Sequence, residues 1–490
     1  ASARESDGQV LAEIIRAYGK VARKWKLKIT PRDSVTAIAL GWGYYRMAVR
    51  GVSDNELNNR AGEVLRSAHS PARLAASHYF ARGAKDFDRF EKLLSTLAVA
   101  ENLADVRMAA TLALGKINSD SSLFTLITVA KEDPDDRVRT NAIRSLQNFG
   151  FDQTREALIK ALDDKSVNVA IAASETIKSD ITGQYVKEVH ALARSVANWR
   201  VQANLYGAVL SLLDNKEILD EIESVYNKST NPYQQAALLT SLEHASKSYN
   251  FVHKQLLERK EPVVKSSAAS ALVSMNYKKN FDGSLKHTFA SLYQQAIREG
   301  DVAVTGIICG ALSDSTLNYK SVLKDFSFLK EARSKLALPK DYESVVPLEN
   351  AIAYFEGRKS YPAMSNDFNH PINWNIVRKI PSDQKAIIKT SKGNITMKLL
   401  VDEAPGSVLN FILLATEKYY DGKTIHRVAP NFVVQDGCPR GDGWGSEAYS
   451  IRSEFAQHRY KTGSVGMASA GKDTEGTQWF ITHSPTPHLE

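Results

Sequence analysis

The sequence predicts two folds in one chain, an all-α solenoid of stacked short repeats followed by a smaller part rich in strands and turns. Three observations carry that reading. A short signature built around a valine returns at a nearly constant interval through the middle of the chain. Glycine is concentrated near the C-terminus, where the 107 residues from Gln384 to Glu490 hold 11 of the 27 glycines. Glycine collects where turns need positive φ, so that part reads as strands and turns and the glycine-poor remainder as helix. Finally, 490 residues exceed one folding unit at ~100–200 residues per domain.

Composition narrows the function classes. A chain that is 43% hydrophobic and 24% charged is ordinary for a globular protein and excludes wholesale disorder. No run of ~18 apolar residues is present, so no transmembrane segment is expected. Two cysteines exclude a disulfide scaffold. The net charge of +8 is mild for this length, and no nucleic-acid partner is expected. The C-terminal 107 residues carry 12 basic and 11 acidic groups, a net +1, which leaves +7 on the rest. If charge recruits a partner, the helical part does so.

The chain opens in helical sequence, ASARESDGQVLAEIIRAYGKVAR, with no cationic and apolar leader before it. A solenoid normally begins with a capping repeat and none is evident, so a boundary inside a longer protein is expected there. The signature then reads ADVRMAA at Val106, DDRVRTNA at Val138, SVNVAIAA at Val169, NWRVQANL at Val201, NPYQQAAL at Tyr233, EPVVKSSA at Val264 and GDVAVTG at Val302. The intervals are 32, 31, 32, 32, 31 and 38 residues, with earlier copies expected at Ala72 and Val35. Each unit holds two short amphipathic helices, and one pair cannot bury its apolar stripe alone, so neighbours must stack. The small alanine allows close helix approach. Asp or Pro ahead of the second helix caps or starts it. The basic residue after the valine is expected to form a ladder with acidic groups of the next repeat. A generic helical bundle would not keep this register. The pattern resembles the short HEAT-like repeat family, with roughly seven to nine copies over residues 30–355, clearest at 100–310. Such arrays serve as scaffolds or binding surfaces, so protein partners are implied.

Residues 356–383, with three prolines and little periodicity, read as a linker or docking strap. Trp374 and Ile376 within it look apolar enough to pack on something.

The C-terminal part, 384–490, opens with AIIKTSKGNITMKLL, whose alternation around a Ser-Lys-Gly-Asn turn signals a β-hairpin. PGSVLNFILLATEKYY has helical spacing, and TIHRV and NFVVQ follow as strands. Five blocks, GNITMKLLVDEAP, SVLNFILLA, YYDGKTIHRVAPNFVVQDGCPRGDGWG, TGSVGMASAGKDTEGTQWFIT and SPTPHLE, stand in an order and spacing that resembles the cyclophilin-type peptidyl-prolyl cis-trans isomerases. The resemblance implies catalysis without bond breaking. An X-Pro amide turns slowly because twisting sacrifices resonance, a barrier of roughly 18–20 kcal/mol. An enzyme helps by binding the twisted amide more tightly than the planar one.

By that resemblance Arg427 is the donor to the prolyl nitrogen, its guanidinium being permanently charged. Gln435 holds Arg427 and touches the substrate backbone. Phe432, Val433, Phe480 and Leu489 line the proline pocket. Ala468, Ser469 and Ala470 bind the neighbouring peptide backbone, with Gln478 bordering the groove and His488 where some members have Trp. His426 is a structural neighbour of Arg427. Taken singly, Phe432, Val433 and Phe480 read rather as barrel core and Arg427 as a surface ion-pair member. The chain departs from the family at Ser469, usually Asn, at Trp479, commonly Phe, and over Gln435–Pro439. Family members also continue for roughly 40–50 residues beyond the last block, so an incomplete barrel belonging to a longer protein is expected.

Other chemistries fail. EKYYDGKT lacks the first glycine of a phosphate loop, where Glu417 stands. No His-x-x-Glu-His or Cys-x-x-Cys grouping suggests a metal, and no cofactor is expected. Cys309 and Cys438 read as buried or incidental thiols. Two functions follow, an isomerase and folding factor carried on a repeat scaffold, or a non-catalytic scaffold that only grips proline-containing segments. The first takes proline-containing clients and docks to a larger assembly such as an outer-membrane export or assembly machine. Periplasm or cell envelope of a bacterium is the expected location, with a possible lipid anchor outside this sequence and the cytoplasm as alternative.

Overall fold

The protein is described by a computed structural model over residues 34–358, 368–456 and 458–489. The opening expected to be helical, at 1–33, and residues 359–367 of the strap lie outside the described residues. Two compact units divide between Val201 and Gln202.

Among the described residues the first unit is helical, a solenoid of helix pairs. After α1 (Ser34–Val49) come α2 (Asn55–Leu65) with α3 (Ser70–Arg82), α4 (Glu91–Ala100) with α5 (Ala104–Leu114), α6 (Asp120–Glu132) with α7 (Asp136–Ser145), and α8 (Phe151–Ala161) with α9 (Val167–Asp180), ending on α10 (Val186–Ser195). The signature lies on the second helix of each pair, and α3, α5, α7 and α9 pack in succession. Ala72, Val106, Val138 and Val169 are fully buried, as are Ala110, Ala142 and Ala173. Val35 is 75% exposed, so the copy expected there does not share the register.

The expected ladder is present, and each rung is a buried, two-pronged arginine clamp. Arg107 Nε and a terminal nitrogen donate to the Asp133 carboxylate at 2.7 and 2.9 Å, while its other terminal nitrogen donates to the Glu101 carbonyl at 2.9 Å. Arg139 repeats this on Asp164 and the Asp133 carbonyl, and Arg73 on Glu101 and the Ser67 carbonyl. Each guanidinium therefore ties the loop inside its own repeat to the loop of the next. Planar pairing satisfies both partners, which a buried charge requires.

The second unit begins at α11 (Trp199–Leu212) and continues through α12 (Lys216–Lys228), α13 (Pro232–Ser241), α14 (Tyr249–Glu258), α15 (Pro262–Asn276), α16 (Lys286–Arg298), α17 (Val302–Ser313), α18 (Ser327–Ser334) and α19 (Tyr342–Glu356). Prolines start α13 and α15, and the side chains of Asn231 and Asp301 cap α13 and α17. Counting from these caps corrects the register. The residue three past the cap is Gln234 rather than Tyr233, and buried Val304 rather than Val302. Four past the cap, where Arg107 and Arg139 stand in their repeats, is Gln235. Gln235 accepts from Arg259 at 2.9 Å and donates to the Ser229 carbonyl at 2.9 Å. Here the charge has moved to the other loop and the clamp keeps its shape.

The same unit carries the β-rich part. β1 (Lys385–Thr390) and β2 (Gly393–Lys398) form the hairpin, pairing Thr390 with Gly393 around Ser391-Lys392, one residue earlier than the expected turn. α20 (Trp374–Val377) precedes it and α21 (Pro405–Thr416) follows. β3 (Arg427–Ala429), β4 (Val433–Asp436), β5 (Val465–Met467) and β6 (Trp479–Thr482) form an antiparallel sheet in the order β3-β4-β6-β5. No closed barrel is formed among the described residues. Met397, Leu399, Val408, Leu409, Phe411 and Trp479 pack together as the core. The strap contributes Val377 to that core, while Trp374 and Ile376 remain 50% and 38% exposed. The single helical turn aims Val377 inward and leaves the two expected anchors outside.

Candidate active site

The site grows from strand pairing. Arg427 on β3 stands opposite Gln435 on β4, and Gln435 stands opposite Phe480 on β6, so three neighbouring strands place these side chains on one face. Arg427 donates to Gln435 Oε1 at 3.1 Å. Gln435 Nε2 donates to Gln478 Oε1 at 2.9 Å, and Gln478 Nε2 donates to the Gly443 carbonyl at 3.1 Å. A continuous hydrogen-bonded chain thus ties Arg427 to a loop beyond β4. Arg427 stays exposed and its remaining N–H groups point at no described acceptor but Gln435.

Apolar surface lies beside the guanidinium. The Arg427 guanidinium carbon is 5.6 Å from the centre of the Phe432 ring, which stacks on His488 with centroids 5.3 Å apart. Phe480 is half-buried against Tyr460. Val433 is 2% exposed and forms floor rather than wall. Ala468 N donates to the Gln478 carbonyl at 2.9 Å, and Ser469 and Ala470 follow as exposed backbone at the end of β5. Gln478 is buried, so it links groups beneath the groove. Leu489 is 38% exposed beside His488 in the short turn Pro487–Leu489. Contacts therefore join Arg427, Phe432, Gln435, Gln478 and His488 directly, with Ala468 and Phe480 adjoining through the ladder. Both ring nitrogens of His426 lack hydrogen-bond partners among the described residues, and burial lowers its pKa below the ordinary value, which favours a neutral ring.

The loop that receives Gln478 is docked on the helices of the same unit. Arg440 donates to both carboxylate oxygens of Asp301, the α17 cap, at 3.1 and 3.0 Å, and to Asp442 at 3.0 Å. The Tyr233 hydroxyl, near the start of α13, donates to the Gly441 carbonyl at 2.9 Å. Gly445 N donates to Glu343, in the first turn of α19, at 3.3 Å. The Trp444 ring lies against Gly306 of α17, where a Cβ would come within 2.6 Å of it. Gly441 sits at φ +72°, where any side chain would be strained, with the Tyr233 hydroxyl 3.1 Å from where that side chain would begin. Cys438 is the loop's internal staple, accepting from Gly443 N at 3.3 Å while its thiol reaches the Trp444 carbonyl at 3.4 Å. Sequence reasoning missed Arg440, Trp444 and Glu343. The available signal was the departure from the family pattern over Gln435–Pro439, which falls just before this loop. Among the described residues no group of three or more His, Cys, Asp or Glu could hold a metal ion.

Residues 385–490 match the family described as cyclophilin type peptidyl-prolyl cis-trans isomerase, and residues 60–147 and 123–208 match HEAT repeats. A Synechococcus elongatus peptidyl-prolyl cis-trans isomerase is 43% identical over 106 residues, 22% of this chain and 73% of that protein. Bacillus subtilis peptidyl-prolyl cis-trans isomerase B is 50% identical over 97 residues, 19% of this chain and 68% of that protein. A solved Cryptosporidium parvum cyclophilin type isomerase, in the presence of the dipeptide Ala-Pro, is 32% identical with a TM-score of 0.21, over 22% of this chain and 72% of that one. Through its C-terminal residues, and behind a solenoid of HEAT repeats, the chain belongs to the cyclophilin-type peptidyl-prolyl cis-trans isomerase family.

Proposed function

We propose that the protein turns over X-Pro peptide bonds of polypeptide clients and that its helical repeats hold the isomerase and present it to protein partners. The hydrogen-bonded chain Arg427–Gln435–Gln478 carries this reading. Rotation about the prolyl C–N bond makes the nitrogen pyramidal and more basic. A permanently charged donor held at the edge of an apolar slot stabilises that twisted state and gives little to the planar one. Phe432, stacked on His488 and adjoining the guanidinium, supplies the apolar side. Gln435 occupies one terminal nitrogen of Arg427 and fixes the plane of the rest.

The test is isomerisation of a short Ala-Pro peptide by the full chain. Arg427→Ala is expected to lose roughly 10²–10³-fold in kcat/KM, the scale of losing one preorganised donor, with unchanged circular dichroism. Wild-type rates equal to buffer sink the catalytic reading.

The folding-factor role, docking to a larger assembly such as an outer-membrane export machine, and placement in the bacterial periplasm or envelope belong to the same proposal and rest on the resemblance alone. No helix among the described residues is long and apolar enough to cross a membrane. Fractionation of cells carrying the native gene tests the location, and recovery only with cytoplasmic markers would overturn it.

A further inference from the structure

Beside the groove, and within the second unit, lies a cavity of about 430 Å³ walled by two parts of the chain. Tyr342, Glu343, Val346 and Pro347 of α19 form one side, and Trp444 with Ala470 the other. It is continuous with the site already described. Ala470 belongs to the strand end that adjoins the groove, and Gly443, also in the wall, receives the hydrogen bond from Gln478. A volume of a few hundred Å³ suits one large side chain.

The wall chemistry selects the occupant. Glu343 has no cationic partner among the described residues; its one hydrogen bond is from Gly445 N. The nearby carboxylates Asp442 and Asp301 are both engaged by Arg440. Two electron-rich rings, Tyr342 and Trp444, complete the lining, and such faces attract cations. Burial, with the Asp442 charge adding to it, pushes the Glu343 carboxyl up to about 7. A cation in the cavity would relieve that cost.

We propose that this cavity is a subsite for a lysine or arginine side chain of the client, so that a repeat helix takes part in selecting which prolines reach the groove. The inference rests on the reading that the groove holds X-Pro segments.

The experiment uses the full chain at pH 8 and fluorescent Ala-Pro peptides in which Arg, Ala, Leu or Glu is placed in turn at each of several positions on either side of the proline. Binding is read by anisotropy and turnover by isomerisation rate. Arg at one position is expected to bind roughly tenfold tighter than Ala there, with Glu weakest. The Arg-to-Ala ratio should fall to near one in Glu343→Gln, which keeps an acceptor for Gly445, and in Val346→Arg, which fills the cavity with a cation. Equal affinities across the scan, a Leu preference, a ratio that survives both variants, or no binding at all would overturn the subsite. Because binding is measured separately, an absence of turnover with an intact Arg preference would remove the isomerase reading and leave the subsite standing.

Discussion

The molecule joins its parts by two kinds of seam. In the first unit, Arg73, Arg107 and Arg139 make the same buried clamp on Glu101, Asp133 and Asp164, each written once per repeat. In the second unit, the loop from Cys438 to Gly445 meets the starts of α13, α17 and α19 through a different contact at each, a tyrosine, an aspartate cap and a glutamate. The periodic seam asks only that neighbours be alike. The docking seam is singular and ends on the hydrogen-bonded chain that holds Arg427. Repetition builds length, whereas the one-off contact places chemistry.

The largest effect should come from the periodic seam. Arg107→Ala leaves Asp133 buried without its partner, and breaking such a pair costs about 3–5 kcal/mol. Denaturant unfolding should show the loss, and Arg107→Met with Asp133→Leu should recover most of it. A single loss below ~1 kcal/mol would mean the clamp sets register and adds no stability.

The docking seam should respond to pH. Glu343 has a folded pKa raised from 4.5 to about 7, so the folded state holds its proton more tightly than the unfolded chain. Its contribution is present below pH 4.5 and is lost as pH rises towards 7, by at most about 3 kcal/mol. Wild type should therefore lose stability relative to Glu343→Gln across that window. Parallel curves would refute the burial argument.

Smaller effects separate docking from catalysis. Trp444→Ala removes a half-buried ring and should cost about 2 kcal/mol while speeding hydrogen exchange in residues 440–445. Arg440→Ala, which leaves the buried Asp442 carboxylate without its cation, should cost about 2 kcal/mol. If either change lowers turnover of a short peptide by tenfold, the loop acts on the groove through Gly443 and Gln478. If neither does, the loop only holds the domain in place.

Much of this was legible in the sequence where the information is local. The repeat period, the caps, the hairpin and the helix after Pro405 follow from residues a few positions apart. The register slipped at Tyr233 and Val302 because the cap, which sets the helix start, counts for more than the nearest bulky residue. Trp374 misled because a four-residue helix offers no periodicity to orient it. The docking seam was invisible for another reason. Arg440 and Asp301 are 139 residues apart, and Tyr233 and Gly441 are 208 apart, so no window of sequence holds both partners. The groove residues could be named only through the five conserved-order blocks, since Val433 and Phe480 look like any strand interior.

Gly306 carries a consequence for how such a chain can change. It stands five residues past the cap Asp301, where the other second helices place Leu74, Met108, Thr140, Ile171, Ala203, Ala236, Ser266 and Val346. Only at Gly306 is there no side chain, and the Trp444 ring occupies that room. The missing methyl acts as an address that tells the isomerase which repeat to settle on. Repeats could be gained or lost ahead of α13 without disturbing that choice, whereas a single insertion between α13 and α19 would separate the three helix starts the loop must reach together.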